Sequence, residues 1–448
     1  MASRLAAAAV LLISIAVAWL AVVAPLAARL LQGIIAVSVG YVAYLAWHGW
    51  REMRAALRHG RSGAGVPTGD ASDLPFVSFV VPALNEAPVI AAVTRSLAAQ
   101  RYHAAGEPRF EVIVVDDGSS DGTGDRARGA AAEAPGRVLV TRREPGSGPA
   151  TRGAALNHAT PFARGAVIVA IDADTSVEPD FLERSMRAWR RDPGAAGLQA
   201  QKRPTNASRG ALTAAQSEEL LMDMASQCGR WRTDGTAEFR GNGMCIRRDV
   251  LERLGGWGAT ALTEDLDMST RLAAAGERIA LAPEAAVGEE AVEAPGPLWH
   301  QRMRWAEGSL RRLIEHGPAL LGSALPIGRK LDFLAWLAEF LVPPLFVASF
   351  VAALVTIILP QPADWTVPAS LAVSYGIGTF FLALAGLAAD GVSGLALLGR
   401  SLRGTLFLGH WLLVVPAALL KMAFGSGRIT YVKTPRIGAD PGTGGAQP

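Results

Sequence analysis

Long uncharged runs predict two pairs of membrane helices, one near each end of the chain. The first pair consists of the run between Arg4 and Arg29 and the adjacent run Leu30–Trp50. The second pair consists of Phe340–Ala363 and Trp365–Ala389. At about 1.5 Å per residue, runs of this length can cross a hydrocarbon layer about 30 Å thick. A cleaved signal peptide is the alternative for the first run, although its apolar region is unusually long and a second run follows it directly.

A further apolar segment, between Arg403 and Lys421, is short and contains His410 and Pro416. If this segment crossed the membrane, the basic residues after it would lie outside the cell, against the tendency of Lys and Arg to stay in the cytoplasm. We therefore favour a segment that lies on or dips into the cytoplasmic face. A miscounted span is the alternative.

A cluster of basic residues follows the first pair of predicted helices: Arg51, Arg54, Arg58 and Arg61. Such clusters stay in the cytoplasm, so the region from Leu74 to about Gln301 is predicted to be cytoplasmic. Residues 60–73 are rich in glycine and polar residues, as linkers are. The expected location is the plasma (inner) membrane, crossed several times, with the central region on the cytoplasmic side.

The central region alternates between strand and helix patterns. Runs rich in β-branched residues predict strands at Phe76–Val81, Glu111–Val115 and Ala166–Ile171. Ala-rich stretches with helical spacing lie between them, such as Ala87–Ala99 and Gly124–Ala134. This alternation predicts an α/β domain with a mainly parallel, doubly wound sheet, whose ligand site lies at the carboxyl ends of the strands. Polar residues follow each predicted strand: Asn85 and Glu86, Asp116 and Asp117, and Asp172 and Asp174.

The acidic, glycine-containing segment Val114–Thr123 follows the second predicted strand. Carboxylates accept hydrogen bonds from hydroxyl groups, so this segment suits binding of a ribose or a base edge. A turn with a helix cap is an equally good interpretation, because Asp and Ser cap helices routinely. The segment by itself leaves both interpretations open.

Asp172 and Asp174 give a more specific signal. Two carboxylates two residues apart, just beyond an apolar strand, can share a divalent cation that also binds diphosphate oxygens, as Mg²⁺ prefers. The cation would neutralise charge that develops on a departing diphosphate. A surface turn is the alternative, which the preceding apolar strand makes less favoured.

Two further motifs precede the second pair of predicted membrane helices. Thr263–Asp267 (TEDLD) could cap the following helix, or could place a carboxylate to take a proton from an acceptor hydroxyl. Gln301–Trp305 (QRMRW) lies just ahead of the membrane. Arg304 can bind a phosphate through two hydrogen bonds, and Trp305 can stack on a sugar or anchor at the interface. An interfacial amphipathic helix with snorkelling arginines is the alternative.

Composition narrows the class of protein. Hydrophobic residues make up 50% of the chain and charged residues 19%, with a mean hydropathy of +0.25. These values exclude a disordered chain and are too apolar for a typical soluble enzyme. The net charge of +3 comes without a single basic tract, so no nucleic-acid partner is expected. Cys228 and Cys245 predict neither a disulfide framework nor a zinc site.

Taken together, the motifs resemble those of membrane-embedded family-2 glycosyltransferases, the processive group that contains cellulose, chitin, hyaluronan and poly-N-acetylglucosamine synthases. The matching segments, in the same order, are Pro82–Glu86 (PALNE), Asp116–Ser119 (DDGS), Asp172–Asp174 (DAD), Thr263–Asp265 (TED) and Gln301–Trp305. The resemblance covers roughly residues 74–310 and the membrane layout. It implies a Rossmann-like GT-A domain inserted between transmembrane helices, a nucleotide-diphosphate sugar donor, Mg²⁺ or Mn²⁺, and inversion at the anomeric carbon.

The resemblance also implies roles for individual residues. Asp265 would be the catalytic base, and Asp172 and Asp174 would hold the metal and the diphosphate. Other expected contacts with the nucleotide sugar are Asn85, Glu86, Asp116, Asp117, Arg152, Gln301, Arg304 and Trp305. The acceptor would contact Trp305 as well as Gly241, Asn242 and Glu264. Arg152 stands where relatives often carry lysine.

Near the end of the chain, Tyr431–Arg436 (YVKTPR) resembles the FxVTxK gating loop of cellulose synthases. In that family the loop closes over the bound nucleotide, so Thr434 and Arg436 would contact the diphosphate. A cytoplasmic position of this loop supports the interfacial placement of residues 404–424. Because only residues 437–448 follow Arg436, no cyclic-di-GMP-binding domain is expected in this chain.

The sequence therefore predicts a membrane-bound inverting glycosyltransferase that moves a sugar, with a UDP-sugar as the family default donor, to the end of a growing β-linked polysaccharide. The alternative is transfer of one sugar to a lipid acceptor. A transporter is disfavoured because the clear predicted spans contain no charged residue. Expected partners are the donor, the polysaccharide or lipid acceptor, and membrane lipids.

The expected organisation is a helical hairpin (1–50), a linker (51–73), a GT-A domain (74–300), amphipathic interface helices (301–330), transmembrane or interfacial helices (331–425) and a gating-loop-like tail (426–448).

Overall fold

The computed structural model describes residues 2–61, 74–358 and 365–425, and its centre is an eight-stranded mixed sheet. The strands are β1 (Val77–Ala83), β2 (His103–Ala104), β3 (Glu107–Pro108), β4 (Phe110–Asp116), β5 (Val138–Arg142), β6 (Val167–Ala170), β7 (Ser176–Val177), β8 (Gly197–Pro204), β9 (Met244–Arg247) and β10 (Ile279–Glu289). The helices are α1 (Ala2–Val23), α2 (Pro25–Arg61), α3 (Ile90–Ala98), α4 (Thr123–Ala132), α5 (Arg152–Ala159), α6 (Phe181–Trp189), α7 (Ala211–Arg232), α8 (Arg248–Arg253), α9 (Glu264–Ala274), α10 (Pro295–Gly322), α11 (Ile327–Ile358), α12 (Thr366–Ala389), α13 (Gly394–Leu408) and α14 (Trp411–Phe424).

The sheet has the strand order β5-β4-β1-β6-β9-β8-β10-β7, and β2 pairs with β3 separately. The pairs β5/β4, β4/β1, β1/β6 and β8/β10 are parallel, whereas β9 and β7 are antiparallel to their neighbours. The predicted strands correspond to β1, β4 and β6, and the predicted mainly parallel α/β sheet is confirmed. All seven residues of β4 are buried, as expected of a parallel strand that helices cover on both faces.

The helix α7 joins the sheet domain to the apolar helices through very close crossings. A Cβ atom added at Gly49 of α2 would overlap the carbonyl oxygen of Ala225 on α7, and one at Gly229 would overlap the carbonyl oxygen of Leu45 on α2. A Cβ atom at Gly386 of α12 would likewise overlap the backbone of α7. Only glycine permits backbones to approach this closely. These close contacts therefore fix the positions of α2 and α12 relative to the sheet domain.

The helix α2 continues to Arg61, so the first part of the predicted 51–73 linker is helical. Met53 is 0% exposed and Ala56 is 2% exposed, because this end of α2 packs on the sheet domain. Met53, Ala56 and Leu57 continue the helical spacing of apolar positions between the arginines, which explains why the helix does not stop at Trp50. Residues 62–73 lie outside the described part of the chain.

Five described stretches are long and apolar enough to cross a membrane. They are Ser3–Val23, Pro25–Gly60, Phe340–Ile358, Thr366–Ala389 and Gly394–Phe424. The first four correspond to the predicted pairs in α1, α2, α11 and α12. At one end of this group, Gln32 Nε2 donates to Thr366 Oγ1 at 2.7 Å. At the opposite end, Arg4 donates to the carbonyl oxygen of Gly425, and Asp390 pairs with Arg203 of the sheet domain.

The fifth stretch consists of two helices, α13 and α14, which both contact the sheet domain. Arg400 Nε of α13 donates to the buried carboxylate of Glu218 on α7 at 3.0 Å, and Arg403 binds the same carboxylate. At the start of α14, Trp411 Nε1 donates to Glu219 Oε1 at 3.2 Å. Near its end, Lys421 Nζ lies 3.0 Å from Glu307 Oε2 on α10. Both ends of α14 therefore contact the sheet domain or α10, and the interfacial placement of residues 404–424 stays a prediction.

Candidate active site

Arg152, the first residue of α5, links three segments that are far apart in the sequence. Its Nε donates to Asp172 Oδ1 at 2.8 Å, and its Nη2 donates to the carbonyl oxygen of Gly241 at 3.1 Å. Its Nη1 forms an ion pair with Glu264. The carboxyl end of β6, the loop before β9 and the first turn of α9 therefore meet around one guanidinium group, and four of the predicted site residues lie together.

The loop before β9 lies against Asp265. Gly241 has a φ of +84°, and a Cβ atom there would lie 3.5 Å from Asp265 Oδ2. The next residue, Asn242, is 1% exposed; its Oδ1 accepts from the N–H of Asp172 at 3.2 Å and its Nδ2 donates to Thr175 Oγ1 at 2.8 Å. The predicted acceptor loop is thus hydrogen-bonded to the DAD turn and in contact with the predicted base.

Asp265 has a raised pKa, whereas the two acidic residues beside it in α9 both form ion pairs. Glu264 pairs with Arg152, whereas Asp267 pairs with Arg271 at 2.7 Å and with His316 at 2.6 Å. Burial, together with the negative charge of Glu264, raises the pKa of Asp265 to about 6, although nearby arginines act in the opposite direction. A carboxylate with a pKa close to neutrality is suited to accept a proton from a hydroxyl group.

We expect the activity of the chain to fall on the acid side of about pH 6, because a base accepts a proton only in its ionised form. The value of kcat/KM reports the free enzyme, so it should fall about tenfold per pH unit below about 6 and level off above it. Initial rates measured at saturating metal across this range check the prediction. A profile that stays flat down to about pH 5 would contradict Asp265 as a base with this pKa.

The acidic segment after β4 is strongly ordered by its own contacts. Asp116 is 0% exposed; its Oδ1 accepts from the N–H of Ser119 at 2.9 Å and its Oδ2 accepts from Arg142 Nη1 at 2.7 Å. Asp117 forms an ion pair with Arg143. Asp116 therefore orders the turn in this structure. The nucleoside contacts of Asp116 and Asp117 stay predictions.

The loop after β1 is tied to the loop after β4. Asn85 has a φ of +54°; its N–H donates to Ser119 Oγ at 3.0 Å and its Oδ1 accepts from the N–H of Ser120 at 3.0 Å. The N–H of Glu86 donates to Thr123 Oγ1 at 2.7 Å. Because β1 lies between β4 and β6 and parallel strands are about 5 Å apart, these loops and the DAD turn share one edge of the sheet.

Asp172 and Asp174 form a turn directly after β6, where both are partly exposed. The N–H of Thr175 donates to the carbonyl oxygen of Asp172 at 3.1 Å and closes this turn. Within the described ranges, no three His, Cys, Asp or Glu side chains converge as a metal site would require. The two carboxylates therefore fit a divalent cation that takes its other ligands from a diphosphate and water, and they do not fit a cation held by protein groups alone.

The QRMRW motif lies on α10, where two cationic side chains lie over the ring of Trp305. The ring centre of Trp305 is 4.1 Å from Arg302 Cζ and 5.6 Å from Lys202 Nζ. Gln301 and Arg304 are both partly buried on the same helix. One turn further along, a Cβ atom at Gly308 would overlap the side chain of Thr263, so α10 packs directly on the TED segment.

Sequence reasoning missed Arg302, which lies inside the motif. Arg302 is 2% exposed and forms an ion pair with Glu219 of α7, whose other carboxylate oxygen accepts from Trp411. The guanidinium group therefore holds the ring of Trp305 against α7 and α14. The sequence does show an arginine between Gln301 and Arg304. Its buried partner on α7, however, is 83 residues away in the sequence. Thr434 and Arg436 lie outside the described residues.

Comparisons with known proteins agree with this fold. The chain matches the family model "Glycosyltransferase like family 2" over residues 75–308. It is 32% identical, over 82% of this chain and 77% of the relative, to a beta-monoglucosyldiacylglycerol synthase of Trichormus variabilis. It is 26% identical, over 55% of this chain and 58% of the relative, to the poly-beta-1,6-N-acetyl-D-glucosamine synthase of Staphylococcus aureus.

A solved structure shows the same architecture. The mannosyltransferase PcManGT from Pyrobaculum calidifontis, in complex with GDP-Man and Mn²⁺, superposes with a TM-score of 0.55. The match has 21% sequence identity and covers 88% of this chain and 99% of that chain. At this identity the likeness concerns the fold alone, and it confirms the predicted Rossmann-like GT-A domain joined to long apolar helices.

Proposed function

The chain belongs to glycosyltransferase family 2, and from this premise we propose that it transfers a single hexose, with inversion, from a nucleotide-diphosphate sugar to the hydroxyl group of a diacylglycerol-type membrane lipid. The lipid-glycosylating relative matches 82% of this chain, whereas the polymer-forming relative matches 55% at lower identity. The comparisons therefore favour the lipid acceptor over the growing polysaccharide that the motifs predicted. The proposed donor is UDP-glucose, since the relative's product carries glucose.

The observation that carries the proposal is the position of α10 between the TED segment and the apolar helices. One face of α10 packs through Gly308 on Thr263. Another face, with Ala306 and Leu310, joins an apolar cluster formed with α1 and α14. Packed helices lie about 8–10 Å apart, so the proposed base is about one helix diameter from lipid-facing elements. A lipid hydroxyl at the headgroup level is within reach of such a site.

The proposed topology follows the same contacts. Four crossings by α1, α2, α11 and α12 would place the start of α1 and the end of α12 on the side of the GT-A domain. The contacts of Arg4 with Gly425 and of Asp390 with Arg203 support this placement, and α13 and α14 would then lie along the cytoplasmic face. The arginine cluster after Trp50 is on that side, as the distribution of positive charge requires.

In the proposed reaction, Asp265 accepts the proton of the lipid hydroxyl group. The oxygen of that hydroxyl attacks the anomeric carbon. The bond between that carbon and the diphosphate oxygen breaks, and the electron pair leaves with the nucleoside diphosphate. Arg152 and the carboxylates of Asp172 and Asp174 would organise the diphosphate, and the hydrogen bond between Arg152 and Asp172 supports this role. A divalent cation held by the two carboxylates would supply positive charge at the leaving group.

Transfer of labelled UDP-glucose by the full chain in bilayers that contain diacylglycerol tests the proposal. We expect one labelled product that extracts with the lipids and that is absent without diacylglycerol. A ladder of products or insoluble material would overturn the lipid acceptor and restore the polysaccharide. Parallel assays with UDP-N-acetylglucosamine and GDP-mannose identify the donor: transfer from only one of these two would overturn glucose as the sugar.

Replacing Trp305 by leucine is expected to lower kcat/KM for the acceptor about tenfold, because an aromatic surface positioned by Arg302 and Lys202 is lost. The KM for the donor should change by less than about twofold if Trp305 contacts the acceptor alone. Trp299→Leu is the matched control, since Trp299 lies on the same helix and is 40% exposed. Equal effects of both substitutions on acceptor kinetics would contradict a specific role for Trp305.

A further inference from the structure

The cytoplasmic end of α2 marks the headgroup level in the proposed topology. Tyr44 and Trp47 are 50% and 55% exposed, and Trp50 follows one turn later. Aromatic residues with an apolar body and a polar edge concentrate at the membrane–water interface. The next residues of α2 toward the domain are the arginines of the basic cluster, which therefore lie at the depth of lipid phosphates.

The arginines at this end of α2 differ from most others in the protein. Within the described residues, Arg51, Arg54 and Arg58 have no Asp or Glu oxygen within ion-pair distance, whereas arginines of the domain such as Arg230 and Arg312 are paired with buried carboxylates. The guanidinium group of Arg54 lies over the ring of Trp50, with its Cζ 5.3 Å from the ring centre. The acidic partners of these guanidinium groups would therefore come from outside the described residues.

Two of these arginines line a cavity of about 260 Å³ between the end of α2 and the end of α12. Its lining consists of Arg54, Leu57, Arg58, Ala388, Ala389 and Gly391. The lining contains two cations and small apolar groups but no carboxylate. The acidic residue of the neighbouring turn, Asp390, is instead bound to Arg203.

We propose that this cavity binds the phosphate group of an anionic phospholipid from the cytoplasmic leaflet. Two guanidinium groups four residues apart on one helix can bind a phosphate through charge-assisted hydrogen bonds. The apolar lining from Leu57 and Ala388 suits the glycerol and the first methylene groups, and the site lies where lipid phosphates lie. This site is separate from the proposed acceptor site, because it involves neither α9 nor α10, but it rests on the proposed topology.

Soluble phosphate presents the same chemistry as the lipid headgroup, so the test must separate the two. Native mass spectrometry of the full chain in a neutral detergent, with phosphatidylglycerol or phosphatidylcholine added, measures retained lipid. We expect preferential retention of phosphatidylglycerol, and no displacement by inorganic phosphate or glycerol 3-phosphate at equal concentration. Equal binding of the two lipids, or binding of inorganic phosphate with the affinity of phosphatidylglycerol, would overturn the proposal.

Matched substitutions locate the site. Arg54→Gln combined with Arg58→Gln should weaken retention of phosphatidylglycerol at least about tenfold, as loss of charge-assisted hydrogen bonds predicts. Arg51→Gln, which removes the same charge one turn nearer the membrane but outside the cavity lining, should change retention by less than about twofold. Ala388→Glu keeps all arginines and places a competing carboxylate in the cavity, so it should also lose the lipid. Equal losses in Arg51→Gln and in the double variant would indicate diffuse attraction and overturn a defined site.

Discussion

Replacing Asp265 by asparagine is expected to lower the rate of sugar transfer by about 10³-fold, because the amide cannot accept the proton of the acceptor hydroxyl. Donor binding should remain close to wild type, since the contacts of Arg152 with Asp172 and Glu264 do not involve Asp265. Transfer of labelled sugar and equilibrium binding of the nucleoside diphosphate measure the two quantities separately. A variant with more than about a tenth of the wild-type rate would exclude Asp265 as the base.

The stability of the same variant provides an internal control. The pKa of Asp265 in the folded chain is about 6, above its ordinary value of 3.8. The folded chain thus binds this proton more tightly than the unfolded chain, and the stabilisation that it gives below about pH 4 is lost as the pH rises through about 6. Because asparagine never ionises, the melting temperature of Asp265→Asn at neutral pH should not be lower than that of the wild type. Asp267→Asn, two residues further, should instead lose stability and retain transfer per folded molecule, since Asp267 pairs with Arg271 and His316.

Replacing Asp174 by asparagine is expected to lower transfer about 10²- to 10³-fold and to weaken metal-dependent binding of the donor about tenfold. The DAD turn contains two carboxylates, so the loss of one halves the negative charge that the turn presents to a cation. Donor titrations with Mg²⁺, with Mn²⁺ and with a chelator measure this effect, and the affinities of variant and wild type should converge in the chelator. Asp180→Asn is the control, because Asp180 pairs with Arg184 on the following helix. An unchanged metal response in Asp174→Asn would exclude Asp174 as a ligand.

The strands and their polar ends could be predicted because both signals are local. Short β-branched runs that end in Asp, Asn or Gly specify β1, β4 and β6, and parallel packing then brings the ends to one edge. The pairing of Asp116 was not predictable in this way. Arg142 stands opposite Asp116 in the ladder of β4 and β5, and this register depends on the intervening helix and loops. Neither interpretation of the acidic segment, a nucleoside site or a turn with a helix cap, therefore indicated that its first carboxylate pairs with an arginine of the next strand.

The acceptor could not be derived from the motifs for a related reason. QRMRW and TED were interpreted as groups at the reacting centre, and such groups act on the donor and on a hydroxyl group whatever molecule carries that hydroxyl. The proposed lipid acceptor depends instead on what surrounds that centre in this chain, such as the packing of α10 on α1 and α14. These contacts join residues hundreds of positions apart. The end of α2 was difficult to predict for a similar reason. Its arginines indicated a linker from residue 51, whereas the apolar residues between them pack on the sheet domain and extend the helix to Arg61.

The glycine crossings of α7 have a consequence for how the enzyme selects its substrate. Because α2 and α12 pack backbone to backbone on α7, we expect the proposed base to keep a fixed depth relative to the apolar helices. We therefore expect the chain to accept lipids that present a hydroxyl group at the depth of the proposed base. Lipids with longer or shorter acyl chains should serve alike, whereas a hydroxyl lifted into the water by a larger headgroup would pass out of range.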